Sequence, residues 1–393
     1  MNLLHKQVQL FGKQFSVISI GLFSICMVAL FIKLQLGTYN NYLIFKGVFV
    51  HTFHQTNLYA SYPNEYIDVN HYGPFFCYII APFALMPDYV GCLLWVIVNL
   101  LVFFYAIQKI NISTKHKSVL LLIVAVDLIT SIQNVQFNPM LTSWILLSFI
   151  LVQSKNDFWA TFFIAAGFFV KIYGIVGLVF FFFSENKKTF VLSFIFWCLF
   201  CFASPMLISS SNFIVQTYID WFHCLQEKNQ QNHESMLQGI TAFRFLQNGL
   251  SLSKLNEHYF LLICGLLILS PLLKIKQFKE PGFQLRYLSL VMISLVIFSS
   301  SAESATYIIA MTGVGIWFSQ QHKKFLQINL VILVLTIIFS GFSTSDLFTA
   351  SFKDHFIRPN AIKAAPCFFI WIILLVQLIY IDFKNKKLSD YEA

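Results

Sequence analysis

Apolar runs of the length that crosses a bilayer recur along almost the whole chain, and that pattern leaves few folds open. A hydrocarbon core about 30 Å thick takes roughly 17–25 helical residues. Inside it each backbone N–H and C=O must be satisfied by the protein itself, so only helices and closed barrels can span. The alternating pattern of a β-barrel is absent. The chain reads as an all-α polytopic membrane protein, and the composition agrees. Hydrophobic residues make up 58% and charged ones 11%, where soluble domains are about 25% charged.

The net charge of +9 would suit nucleic acid if the basic residues formed one surface. Instead they sit in short clusters between apolar spans, as cytoplasmic loops do under the positive-inside rule. Nucleic acid is therefore excluded as a partner, and membrane lipids are expected. The eight cysteines fall mostly within apolar runs. Cys198 and Cys201 have CxxC spacing, but LSFIFWCLFCFA offers no polar ligand, so they read as small apolar residues. His51 and His54 (HTFH) share a helical face, as metal ligands can. No HExxH or DxD motif accompanies them, so neither a metal nor a cofactor is expected. The amino-terminal MNLLHKQVQLFGKQ is mildly basic and enters an apolar span without a small-residue cleavage site, which reads as an uncleaved anchor.

The expected path is a single integral membrane domain, residues 1–393, with about twelve crossings and both termini cytoplasmic. The first span is placed at Phe15–Leu34, followed by a first external loop over residues 36–72. Gly73–Met86 is interrupted by Pro82 and closed by Pro87, too short for an ordinary span. Residues 73–87 are expected to form a re-entrant or interfacial helix. Spans follow at about Tyr89–Ile107, Ser118–Ile132 and Met140–Val152. Phe158–Phe183 carries Lys171 in its middle and has charged flanks on both sides, so two short helices meeting near Lys171 are expected. Phe190–Ile208 leads to a second external loop, residues 209–256. Five more spans are placed at about His258–Leu273, Leu285–Ser299, Ala305–Phe318, Phe325–Phe339 and Ala364–Ile381, before a DFKNKK tail.

The unusual polar residues gather in the stretches assigned to the outer side. The first loop holds His51, His54, Glu65, Asp68 and His71 beside Tyr59, Tyr62, Tyr66 and Tyr72. Carboxylates among aromatic rings suit sugar chemistry: rings stack on the sugar and a carboxylate takes a proton from an acceptor hydroxyl. The same composition also suits a solvated loop whose rings sit at headgroup level. Lys171 is costly within an apolar stretch. At the junction of two half-helices it can face an anion such as phosphate, or pair with Asp127, or snorkel outward.

Three segments in order resemble glycosyltransferase family 87, which includes polyprenol-phosphomannose-dependent mannosyltransferases. The first is NLYASYP followed by HYGPFFCYIIAPFALMPDYVGCLLWVIVNL, where Tyr59, Tyr72, Pro74, Pro82, Pro87, Trp95 and Asn99 match. The second is VQFNPML, where Gln136 and Asn138 match a GQ.N pattern and Val135 stands in place of its Gly. The third is FWATFFIAAGFFVKIYGIVGLVFFF, where Lys171 and Tyr173 match. The resemblance implies a GT-C-like fold with its site on the outer face, a polyprenyl-phosphate-linked sugar donor, a glycan or glycolipid acceptor, and inversion at the anomeric carbon.

The family commonly carries an Asp about eighteen residues before the Tyr matched by Tyr59, whereas this chain has Asn41, with Asn40 beside it. A neutral amide cannot accept the proton. Either Glu65 or Asp68 takes the base role, or catalysis differs, or activity has been lost; Glu303 in SSSAESATY stands roughly where later-half members carry a His. Lys171 and Arg244 are the expected phosphate ligands. Tyr62, Tyr66, Tyr72, Gln136, Asn138 and Asn41 complete the candidate binding set. A transporter or flippase of lipid-linked sugars, or a non-catalytic relative, is the alternative.

Overall fold

The computed structural model describes residues 6–10, 13–235 and 238–384, and it is almost entirely helical. Parts of the amino-terminal segment and residues 385–387 of the DFKNKK tail lie outside the described residues. A two-stranded antiparallel hairpin, β1 (Gln7–Leu10) and β2 (Lys13–Ser16), pairs Gln7 with Ser16. The helices that follow are α1 (Val17–Gln35), α2 (Asn40–His54), α3 (Phe76–Ala84), α4 (Asp88–Lys109) and α5 (Thr114–Gln133). Next come α6 (Asn138–Gln153), α7 (Asp157–Val170), α8 (Lys187–Ala203) and α9 (Ser211–Glu234). The last are α10 (Ala242–Arg244), α11 (Glu257–Leu269), α12 (Pro281–Ile297), α13 (Tyr307–Ser319), α14 (Leu326–Thr336), α15 (Ala350–Phe352) and α16 (Ala364–Tyr380). Among the described residues five helical segments are long and apolar enough to cross a membrane, and seven shorter apolar helices accompany them. The protein is an all-α polytopic membrane protein.

The spans begin and end within a few residues of where composition places them. On α1, Ile25, Val28, Phe31 and Ile32 are exposed while Leu22, Cys26, Leu30 and Leu34 are buried. That four-residue spacing separates a lipid-facing side from a packed one.

Two segments read as loops prove to be helical in part. Residues 40–54 form α2, whose Tyr42, Phe45, Val48 and His51 make one buried stripe. Residues 211–234 form α9, with Ile214, Thr217, Trp221 and Cys224 buried on one side. Both are too polar for hydrocarbon, yet one stripe at helical spacing suffices to dock a helix.

The chain forms two compact units. One comprises residues 23–110 and 131–230 and the other residues 1–22, 111–130 and 231–393. In the first, α6 is central: every residue from Asn138 to Phe149 is buried. Beside it, α7 and the following 3₁₀ helix, Ile172–Phe183, form an antiparallel hairpin. A Cβ on Gly174 would lie 2.2 Å from Gly167 C, and one on Gly177 2.7 Å from Ile164 Cγ1. At the open end Ser184 Oγ donates to Asp157 Oδ2 at 3.0 Å. Fourteen α-helical residues rise about 21 Å and twelve 3₁₀ residues about 24 Å. The arms therefore match in length, and each is shorter than the hydrocarbon core. Lys171 sits at the tip, in extended conformation between them.

In the second unit α12 and α13 pack closely. A Cβ on Gly313 would meet Ser289 O at 3.0 Å, and Ser289 Oγ donates to Gly313 O. Trp371 of α16 donates from Nε1 to Ser294 Oγ on α12 at 2.8 Å.

Candidate functional site

The candidate site lies in the unit built around α6, where three elements converge on Lys171. The first is the hairpin tip: Lys171 N donates to Gly167 O at 2.8 Å, ending α7, and Gly174 N donates to Lys171 O at 3.0 Å, starting the 3₁₀ arm. The second is the start of α6, where Asn138 Oδ1 accepts from Lys171 Nζ at 2.8 Å. Asn138 is fully buried, and among the described residues its Nδ2 has no hydrogen-bond partner. A buried amide donor without a partner costs roughly 1–3 kcal/mol, so this carboxamide has donor capacity to spare. The third is the end of the loop joining α2 to α3. The Tyr72 ring lies 5.8 Å from Lys171 Nζ, and the Tyr173 ring 5.3 Å from it on the hairpin side.

Gly73 makes this approach possible. Its N–H donates to Val170 O at 3.0 Å, one residue before Lys171. A Cβ there would stand 2.1 Å from Phe169 O and 2.9 Å from the Trp221 ring. Only glycine lets the loop lie against the hairpin tip at this distance.

The entry to α6 is also strained. Val135, standing where the family pattern carries Gly, has φ +48°. The left-handed conformation, which costs an L-residue about 1–2 kcal/mol, closes the end of α5. Val135 N donates to Ile132 O and Gln136 N to Ser131 O, both at 2.9 Å. Half-buried Gln136 and then Asn138 follow.

The loop is fixed at several points. Asn40 clamps it: Nδ2 donates to Ile67 O at 2.6 Å and Oδ1 accepts from Ile67 N at 2.7 Å. Asn41 instead reaches across to the segment before α6, donating to Asn134 O at 2.7 Å. Both amides therefore hold backbone that a carboxylate could not hold in the same way, because it has no N–H to donate. Asn70 accepts from Tyr72 N and donates to Tyr72 O, which also receives the Tyr59 hydroxyl at 3.2 Å. His71 docks on α9: its carbonyl accepts from Trp221 Nε1 at 2.9 Å and its Nδ1 lies 3.2 Å from Cys224 Sγ. Burial, with Lys228 and Lys171 nearby, pushes the imidazole down to about 4, so it is neutral near pH 7. The helical period of Ser211–Glu234, with Trp221 and Cys224 on one side, was the signal in the sequence for this platform.

The two loop carboxylates differ in setting. Asp68 is exposed, holds φ +83°, and accepts from its neighbour Val69 N at 2.8 Å. Glu65 Oε2 lies 3.0 Å from Nε2 of the buried His51. The Tyr62 ring lies 4.0 Å from the His51 ring, and Tyr62 OH donates to Asn57 O at 2.7 Å. Tyr66 is buried beside Gly47, and among the described residues its hydroxyl has no partner. Among the described residues no group of three or more His, Cys, Asp or Glu forms a metal-binding cluster.

Arg244 and Glu303 belong to the other unit. Arg244 donates to the carbonyls of Gln238 at 2.8 Å, Asn232 at 3.3 Å and Ser235. These bonds hold the segment after α9. Glu303 is half-buried and precedes the short 3₁₀ turn Ser304–Thr306. Of the expected set, then, Lys171, Asn138 and Tyr72 meet at one point. Glu65, Tyr62 and Tyr66 gather around His51.

A search of curated proteins returns no match. The family profile described as glycosyltransferase family 87 matches residues 70–300, which include Tyr72, Asn138 and Lys171. That match covers more than half of the chain, and the protein belongs to glycosyltransferase family 87.

Proposed function

We propose that this membrane glycosyltransferase moves a hexose, mannose foremost, from a polyprenyl-phosphate donor to a hydroxyl of a glycan or glycolipid acceptor on the outer face. The observation that carries the reading is Lys171 at the hairpin tip, held by Asn138 while Asn138 Nδ2 stays buried and has no partner among the described residues. A cation and an amide donor set in an apolar frame suit a phosphate oxygen. A polyprenyl tail entering from the lipid would keep that phosphate at membrane depth.

In the proposed step the acceptor oxygen attacks the anomeric carbon on the face opposite the phosphate. The bond from that carbon to the phosphate oxygen breaks, its electron pair leaves with the phosphate, and the configuration inverts. Glu65 or Asp68 takes the hydroxyl proton. Lys171 and Asn138 stabilise the charge that grows on the leaving phosphate, which lowers the barrier. Tyr62, Tyr66 and Tyr72 offer ring faces to the sugar or the lipid head. The outer-face assignment is supported by the lysines that follow α6 and the hairpin, Lys155, Lys187 and Lys188, at the end away from Lys171.

The test uses the full chain in nanodiscs with radiolabelled polyprenyl-phosphate mannose and a membrane lipid extract as acceptor. Wild type should transfer label, and Lys171→Ala should weaken saturable donor binding about 10–100-fold, the value of a hydrogen bond to a charged group. Lysine-dependent binding without transfer would favour a flippase or a sensor. Absence of any donor binding would overturn the reading.

A further inference from the structure

The loop carboxylates are not equivalent, and the difference lies in what stands behind each. Asp68 is bonded only locally, to the next backbone N–H, from an exposed position. Glu65 is backed by a side chain from another element: His51 on the last turn of α2, fourteen residues earlier in the chain. The imidazole is 5% exposed and the carboxylate 50% exposed, so one end of the pair is anchored in the protein and the other is open.

Resting on the glycosyl-transfer reading above, we propose that Glu65 is the base that takes the acceptor proton and that His51 is its positioning residue. Three features support this. A carboxylate only accepts, so the contact at 3.0 Å fixes the proton of the imidazole on Nε2, with Nδ1 as the buried bare nitrogen. The Tyr62 ring, 4.0 Å from the imidazole, covers it and prevents it from rotating away. Glu65 Oε2 is thereby committed to His51, which leaves the other oxygen of this half-exposed carboxylate for the acceptor proton.

Burial lowers the affinity of His51 for a second proton; Glu65 opposes that effect and His54 adds to it. Neutral His51 thus serves as a donor near pH 7. The titratable or charged groups around the pair are Glu65, Tyr62 and Tyr66 from the loop and His54 from the same helix. Lys46, more than a turn earlier on α2, is paired with Asp88 at the start of α4, 2.6 Å between charged atoms. The balance of the step is simple. The acceptor O–H proton passes to the free oxygen of Glu65, the acceptor oxygen bonds to the anomeric carbon, and the phosphate departs with the electron pair. His51 keeps its own proton throughout.

The experiment compares wild type with Glu65→Gln, Asp68→Asn, His51→Ala and His51→Gln in the nanodisc assay, with donor binding measured alongside transfer. Glu65→Gln should lower kcat about 10²–10⁴-fold, the usual value of a general base, with saturable donor binding still present. Asp68→Asn should cost less than Glu65→Gln. His51→Ala should lower kcat about tenfold and leave the KM for the donor close to that of wild type, because the imidazole orients the base and does not touch the donor. His51→Gln, which still offers an N–H, should restore most of the rate. Transfer retained in Glu65→Gln would overturn this assignment alone. So would a His51→Ala loss that falls on KM and not on kcat and is not rescued by glutamine. A wild type that neither binds nor transfers would overturn the transfer reading and this assignment together.

Discussion

Asn138 shows how a single buried amide sets the character of a site. Its oxygen already holds the Lys171 ammonium at 2.8 Å, and its nitrogen is buried with no partner among the described residues. The charge on Lys171 is oriented but not neutralised by this contact, since a carboxamide carries no charge. Asn138→Asp changes one atom and should form an ion pair with Lys171 in place of that neutral contact. The negative charge would then repel the donor phosphate and compete for its cation. Donor affinity should fall at least about tenfold, the value of roughly 1.4 kcal/mol, as read by saturation binding of labelled polyprenyl phosphate. An unchanged affinity would remove Asn138 and Lys171 from the phosphate site. The sequence pointed to both residues, Lys171 by its cost in an apolar run and Asn138 through the family pattern. It did not reveal that Asn138 would be fully buried.

At the scale of elements, the docking of the 70–73 loop on α9 and the hairpin tip depends on a neutral histidine. His71 is buried against Cys224 and Trp221 with Lys228 and Lys171 nearby, and its pKa falls from the ordinary 6.5 to about 4. Between these values the unfolded chain binds a proton that the folded chain refuses, so stability rises with pH across the window. The contribution is complete above pH 6.5 and is lost as the pH drops towards 4. Thermal unfolding in detergent should show this acid-side loss in wild type and a shallower dependence in His71→Gln, with Trp221 reporting the release of the loop. Equal slopes in the two proteins would mean that His71 does not titrate in this way. None of this docking was legible from composition, because α9 reads as a polar stretch and only its period, Ile214, Thr217, Trp221 and Cys224, marks a buried side. The hairpin was legible, because a lysine in the middle of an apolar run with charge on both flanks leaves a continuous span few options.

At the scale of the whole molecule, the longest-range polar contact sits in the unit that carries α12 and α13. Lys363 Nζ donates to Asp127 Oδ1 at 2.9 Å, across 236 residues of sequence, with both side chains almost fully buried. Ser340 O accepts from the same ammonium at 2.6 Å, and the Tyr307 ring lies 4.9 Å from it. Removing one member leaves the other charge buried and uncompensated, which costs about 3–5 kcal/mol, whereas replacing both is often tolerated. Asp127→Asn and Lys363→Met should each lower the unfolding temperature sharply, and the double variant should recover much of the loss. Additive losses in the double variant would show that the two residues do not act as a pair. Asp127 had been weighed in the sequence as a partner for Lys171; the structure pairs it with Lys363 instead.

The sequence by itself determined the membrane class, the helical fold, the position of nearly every span and the break at Lys171. These follow from local quantities: the residues needed to cross hydrocarbon, the need to satisfy each backbone group, and the cost of a charge among apolar neighbours. Only the tertiary structure decided which polar side chains meet. His51 finds Glu65 fourteen residues away, His71 finds Cys224 at 153, and Asp127 finds Lys363 at 236. Such pairs depend on how helices pack side by side, and packing is set by the shapes of many side chains at once, which no local window of sequence contains.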